Sequence, residues 1–127
     1  MSRPNLDLAP IGNCSVSALI DREGRFVWAC APRVDGDPIF SALMDGDDPD
    51  HGFWSIELAD MASIEQAYVR NTAVLRTVMT DERGASVEVL DFAPRHLKHS
   101  RIYRPIAFGR VVRPLSGAPR ITVRLRP

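Results

Sequence analysis

The chain has 127 residues with 16 basic and 16 acidic side chains, so its formal net charge is zero; 45% of residues are hydrophobic and 25% charged. That is the composition of one globular domain able to bury its own core. Its longest apolar runs fall far short of the roughly 18 to 20 residues that cross a bilayer, and no apolar run follows Arg3, so neither a membrane span nor a signal peptide is expected and the cytoplasm is the expected compartment. The zero hides a split: residues 1–65 carry 4 basic and 12 acidic side chains, residues 66–127 carry 12 and 4, giving halves of −8 and +8. Overall neutrality argues against a dedicated nucleic-acid binder, although such a split can build a basic face.

In chain order the pattern is one of strands. Residues 16–20 form a short apolar-rich run, Asp21-Arg22-Glu23-Gly24 reads as a hairpin turn closed by glycine, and residues 25–30 form the return strand. Cys14 and Cys30 flank this hairpin; in a chain with no export signal they are expected to be free, buried thiols. The segment from Asp37 to Met44 reads as a two-turn helix, with Asp37 as N-cap and Pro38 at the first helical position. An acidic loop follows, Asp45, Asp47, Asp48 and Asp50. It fails the calcium-loop test, because Pro49, Asp50 and Ile56 stand where a ligand, a glycine and a glutamate are required.

Further strands are expected at residues 52–58, 65–70, 74–80, 86–92, 106–112 and 120–125, with prolines in the gaps. Asp81-Glu82-Arg83-Gly84 repeats the first turn's chemistry between two β-branched stretches. Along the last strand Ile121, Val123 and Leu125 alternate with Arg120, Thr122, Arg124 and Arg126, which puts the apolar set toward a core. Many short strands with Gly and Pro turns predict an all-β antiparallel sandwich with at most one short helix. The last strand runs to the final residues without a closing turn, so residues 1–127 read as a single domain or part of one, with an open edge that invites homo-oligomer formation.

Chemistry-bearing motifs are few. His96 and His99 lack a third ligand nearby, so no metal is expected; residues 93–104 read as an exposed basic loop, with Tyr103 the one stacking ring and no nucleic-acid role expected. There is no nucleophile elbow and no phosphate-cradling glycine loop. The most informative stretch is residues 11–46. There Trp28, Arg33 and Asp35 offer a ring and bidentate polar groups suited to a sugar, while the plainer reading makes Trp28 a core residue and lets Arg33 and Asp35 pair to fix a turn.

This stretch resembles the N-terminal signature of glycoside hydrolase family 15, the bacterial glucoamylase and trehalase-like enzymes. Gly12, Asn13, Gly24, Val27, Trp28, Pro32, Arg33, Asp35, Phe40, Ala42 and Leu43 stand at matching positions. Gly52-Phe53-Trp54, the Tyr68 to Leu75 stretch, Val89 to Arg95 and Arg110 to Gly117 continue the match in order. Val34 stands where Phe is usual, and Phe26-Val27 replaces the commoner Ile-Asp before Trp28.

The resemblance implies the first part of a β-supersandwich that precedes an (α/α)6-barrel, with both catalytic glutamates of an inverting hydrolysis in that barrel, beyond this sequence. On this reading the chain has no catalytic residue and no cofactor. It packs on the barrel of its parent protein, and Trp28, Arg33, Asp35 and Asp37 are substrate-proximal or interface residues contacting a glucan or trehalose. The alternative is an independent carbohydrate-binding or assembly module using exposed Trp28 or Trp54. The charge split then reads as an interface with the rest of the parent protein.

Overall fold

The structure, a computed structural model, describes residues 7–44 and 50–127; the acidic positions Asp45, Asp47 and Asp48 lie outside the described residues, and Asp50 is exposed. Twelve strands are assigned within them: β1 (Ala9–Gly12), β2 (Ser17–Ile20), β3 (Phe26–Cys30), β4 (Pro38–Phe40), β5 (Phe53–Leu58), β6 (Met61–Tyr68), β7 (Leu75–Asp81), β8 (Ser86–Phe92), β9 (His96–Lys98), β10 (Arg101–Tyr103), β11 (Gly109–Ser116) and β12 (Ile121–Arg126). One sheet has the order β1-β2-β3-β5-β12, with β4 also on β3; a second runs β11-β8-β7-β6; β9 and β10 pair with each other, and all pairings are antiparallel.

The two Asp-x-x-Gly turns fold alike. The Asp21 amide donates to Arg25 O and the Gly24 amide to Asp21 O; the Asp81 amide donates to Ala85 O and the Gly84 amide to Asp81 O. In each turn the aspartate Oδ1 accepts two backbone amides, Glu23 and Arg25 for Asp21, Arg83 and Ala85 for Asp81. The side chain thus supplies acceptors that the reversing backbone cannot, and Gly24 and Gly84 take the positive φ, 80° and 86°.

The sheets face one another across two apolar clusters. Ile11, Ile20, Phe26 and Phe40 of the first sheet meet Leu75 of the second, while Ile56 and Leu58 meet Met79, Val87 and Val89. Phe26 stands edge-on to Phe40 and Phe108, at 6.1 and 5.6 Å between centroids. Such contacts add roughly 0.5–1.5 kcal/mol each beyond the area they bury.

Strand β3 carries a bulge. Leu19 pairs with Trp28 and Ile20 with Phe26, so Val27 is an extra residue. Phe26 and Ala29 both enter the inter-sheet core, while Val27 turns to a smaller cluster with Ala42 and Phe53. The extra residue shifts the two-residue alternation, as bulges do.

Several sequence expectations change. No helix forms from Asp37 to Met44: residues 38–40 are strand β4 and Ala42–Met44 a single 3-10 turn. The extended backbone lets Phe40 pair with Ala29 and bury against Phe26, a tertiary gain that outweighs the local capping signal of Asp37. Ile121, Val123 and Leu125 are exposed rather than in the core. They stand opposite Leu58, Ile56 and Trp54 and share their face, but β12 is at the sheet edge, and among the described residues the second sheet does not cover it. Pro114, taken as punctuation, pairs within β11, which is an edge strand and tolerates a missing amide donor. Cys14 is an exposed thiol in the β1–β2 turn, and Cys30 alone is buried. The basic loop is hairpin β9–β10.

Candidate functional site

The β1–β2 turn, the β3–β4 turn and the chain returning from β10 meet at one end of the sandwich. They line a shallow groove of about 590 Å³ that includes Cys14, Ser15, Arg33, Asp35, Arg104 and Ile106. Arg33 Nη2 lies 3.0 Å from Asp35 Oδ2, with 77% and 65% of the two side chains exposed, and the Gly36 amide donates to Arg33 O to close the turn. The backbone bond closes the turn, and the exposed pair presents a guanidinium and a carboxylate to solvent, groups able to hydrogen-bond neighbouring hydroxyls.

The other two sequence candidates stand apart from this groove. Trp28 is half-buried in the middle of β3 and does not line it; Asp37 is exposed just before β4 and does not line it either. Trp54 is no exposed sugar platform. Its ring packs on Phe26 at 5.1 Å and lies under the Arg110 guanidinium at 5.2 Å.

One residue that sequence reading passed over organises this end. Asn13 is buried, and its Oδ1 accepts the amides of Ser15 and Val16. Its Nδ2 donates one hydrogen to Pro94 O and one to Pro105 O, both at 2.8 Å. All of its amide capacity on the donor side is used. Asn13 matched the family signature, but no spacing rule connects it to residues 81 and 92 positions away.

The buried carboxylates are engaged in holding the fold. Asp21 serves its turn and pairs with Arg25 at 2.8 Å. Glu88 is covered by Arg76 and Arg113, at 2.6 and 2.7 Å, and these guanidiniums, Arg76 first through its hydrogen bond, hold its carboxyl below the usual value against the opposing effect of burial. Asp91 lies in the core opposite Arg110 on β11. Burial pushes its carboxyl above the ordinary value, while the charge and hydrogen bonds of Arg110 draw it back. Arg110 also donates to Trp54 O at 2.8 Å and to Gly24 O, and Gln66 of β6 donates to Asp21 O at 3.0 Å. The second sheet thus grips the β2–β3 turn at two points.

A family model described as trehalase-like, N-terminal matches residues 4–127. The chain belongs to that family. No curated protein and no solved structure matches it. The match spans every described strand of this trehalase-like N-terminal domain, including the groove and the Asn13 clamp. Among the described residues, no helix is long and apolar enough to cross a membrane.

Proposed function

We propose that this trehalase-like N-terminal domain is a non-catalytic part of a glucoamylase- or trehalase-like glycoside hydrolase of the bacterial cytoplasm that cleaves α-glucosidic bonds. It packs on an (α/α)6-barrel that carries the catalytic glutamates, and its Arg33–Asp35 turn borders the sugar site. The observation that carries this reading is the family match over residues 4–127. The exposed Arg33–Asp35 pair supports the second part, because it offers donors and acceptors to hydroxyls at the loop-built end of a rigid sandwich.

Steady-state kinetics of the full-length protein on trehalose and maltooligosaccharides test it. Arg33→Ala and Asp35→Ala are expected to raise KM or lower kcat while the melting temperature stays unchanged. Unaltered kinetics overturn the placement of the turn, and a full-length protein that releases no glucose overturns the parent activity. The alternative of an independent sugar-binding module would rest on Trp28 and Trp54, both half-buried, with the Trp54 ring already packed on Phe26. Calorimetric titration of the chain with millimolar maltooligosaccharide distinguishes it by a binding heat.

A further inference from the structure

Between Pro94 and Pro105 the chain leaves both sheets, runs up β9, reverses, and returns along β10. The reversal uses His99 and Ser100, both at positive φ, 51° and 64°, the backbone combination that matches hairpin twist but that non-glycine residues rarely adopt. Among the described residues these two strands pair only with each other. A two-stranded hairpin is marginally stable in water. Its fixed part is its base, where the Asn13 amide ties both legs to the β1–β2 turn.

The side chains that this hairpin displays are unusual for a surface loop. Leu97 and Ile102 are cross-strand partners, 75% and 53% exposed. Every charged residue from 93 to 106 is basic: Arg95, Lys98, Arg101 and Arg104. None of the three arginines has an ion pair among the described residues. The return leg also supplies Arg104 and Ile106 to the groove that holds Arg33 and Asp35, so a surface met by the hairpin extends over that groove.

We infer that hairpin β9–β10 is a docking arm for the catalytic domain of the same protein, meeting a face where an apolar depression is ringed by Asp and Glu. Leu97 and Ile102 fill the depression, and Arg95, Arg101 and Arg104 pair with the acids. This rests on the reading that the chain packs on a glycosidase barrel, and names the element and the chemistry of that contact. Charge complementarity sets the sign of the partner face. The apolar pair argues for protein over nucleic acid: Leu and Ile gain nothing against phosphates, and the Tyr103 ring already stands edge-on to His96 at 5.2 Å.

Amide hydrogen exchange of the full-length protein, read on peptides covering residues 95–104, tests the arm. The expected result is protection about tenfold or more above that of an isolated hairpin, concentration-independent, and weakened by raising salt. The variant Leu97→Asp/Ile102→Asp removes the protection, and Arg95→Gln/Arg101→Gln/Arg104→Gln, which leaves the apolar pair and the fold intact, weakens it. Exchange at the unprotected rate overturns the arm, as does protection unchanged in both variants. Protection that is lost on dilution assigns the arm to a second copy and overturns it too, and protection that appears only on adding a mixed-sequence oligonucleotide does the same. Altered kinetics in Arg33→Ala with an unprotected arm would sink the arm and leave the functional reading standing. A protected arm in a protein without glycosidase activity would do the reverse.

Discussion

Arg110 and Asp91 occupy directly opposed positions on β11 and β8, 2.6 Å apart, with 1% and 0% of their side chains exposed. The guanidinium also reaches Trp54 O on β5 and Gly24 O in the β2–β3 turn, and it lies 4.7 Å from the centre of the Phe26 ring. A single side chain on one sheet therefore satisfies acceptors on the other. Removing one partner of such a pair leaves an uncompensated buried charge, which costs about 3–5 kcal/mol. Arg110→Met and Asp91→Leu are each expected to lower stability by that amount. The double variant should be less destabilised than the sum of the two, read from urea midpoints at constant m value.

Glu88 gives the pH dependence a sign. Its folded-state carboxyl titrates below the ordinary value, so in the acid range the unfolded chain binds the proton more readily than the folded one. Its contribution is fully present above the unfolded value of about 4.3 and is lost as pH falls through the lower folded value. Asp91, raised by burial, acts in the opposite sense, favouring the fold less as pH rises from its ordinary value toward its raised one. Glu88→Gln should therefore flatten the fall in stability below pH ~4.3, and thermal melts across that range measure it.

The Asn13 clamp makes a local prediction. Asn13→Asp keeps the acceptor for Ser15 and Val16 and loses both donors to Pro94 and Pro105. It also turns a carboxylate oxygen toward two carbonyls, so it should be worse than Asn13→Ala. Each variant is expected to cost about 1–3 kcal/mol, and exchange in residues 95–104 should rise before that of β7 and β8 does.

Two glycines separate backbone strain from crowding. At Gly84, φ is +86° and an added Cβ meets nothing within 4 Å; at Gly117, φ is +64° and the Cβ would come 2.9 Å from Ala85 Cβ. Gly84→Ala should cost about 1–2 kcal/mol from conformation alone, and Gly117→Ala more. Denaturant midpoints of the two single variants check the order.

The open edge of β12 makes a further prediction, self-association. An antiparallel pairing centred on Val123 sets Ile121 against Leu125 of the second copy and Arg120 against Arg126. The apolar pairs attract and the arginines repel, so dimer formation should strengthen with salt. Light scattering from 0.05 to about 0.5 M salt reads this, and a monomer throughout overturns it.

How legible this fold was in the sequence depends on range. The twin turns were readable, because Asp and Gly at fixed spacing act through bonds within five residues. Most strands were readable as short apolar and β-branched runs between Gly and Pro turns, and the all-β class followed. Segments whose setting depends on distant contacts were misread: Phe40 is extended because Phe26 and Ala29 receive it, and Ile121, Val123 and Leu125 alternate like core residues while staying exposed at the sheet edge. The candidate site was legible only where it is local. Arg33 and Asp35 do pair, two residues apart, whereas their neighbours Cys14 and Arg104 are brought in by topology, and Trp28 is turned elsewhere by the bulge at Val27.

That bulge has a consequence for how the domain tolerates change. Upstream of Val27 the inward set on β3 includes Phe26; downstream it includes Ala29, an odd number of steps later. Val27 works as a phase shifter, and it feeds a third layer, since Ala42 and Phe53 close over it on the far side of the first sheet. Deleting that one residue would restore unbroken alternation with Phe26 and Ala29 still facing the inter-sheet core, and would take from Ala42 and Phe53 the side chain they close over. Regularity at this point would be the defect.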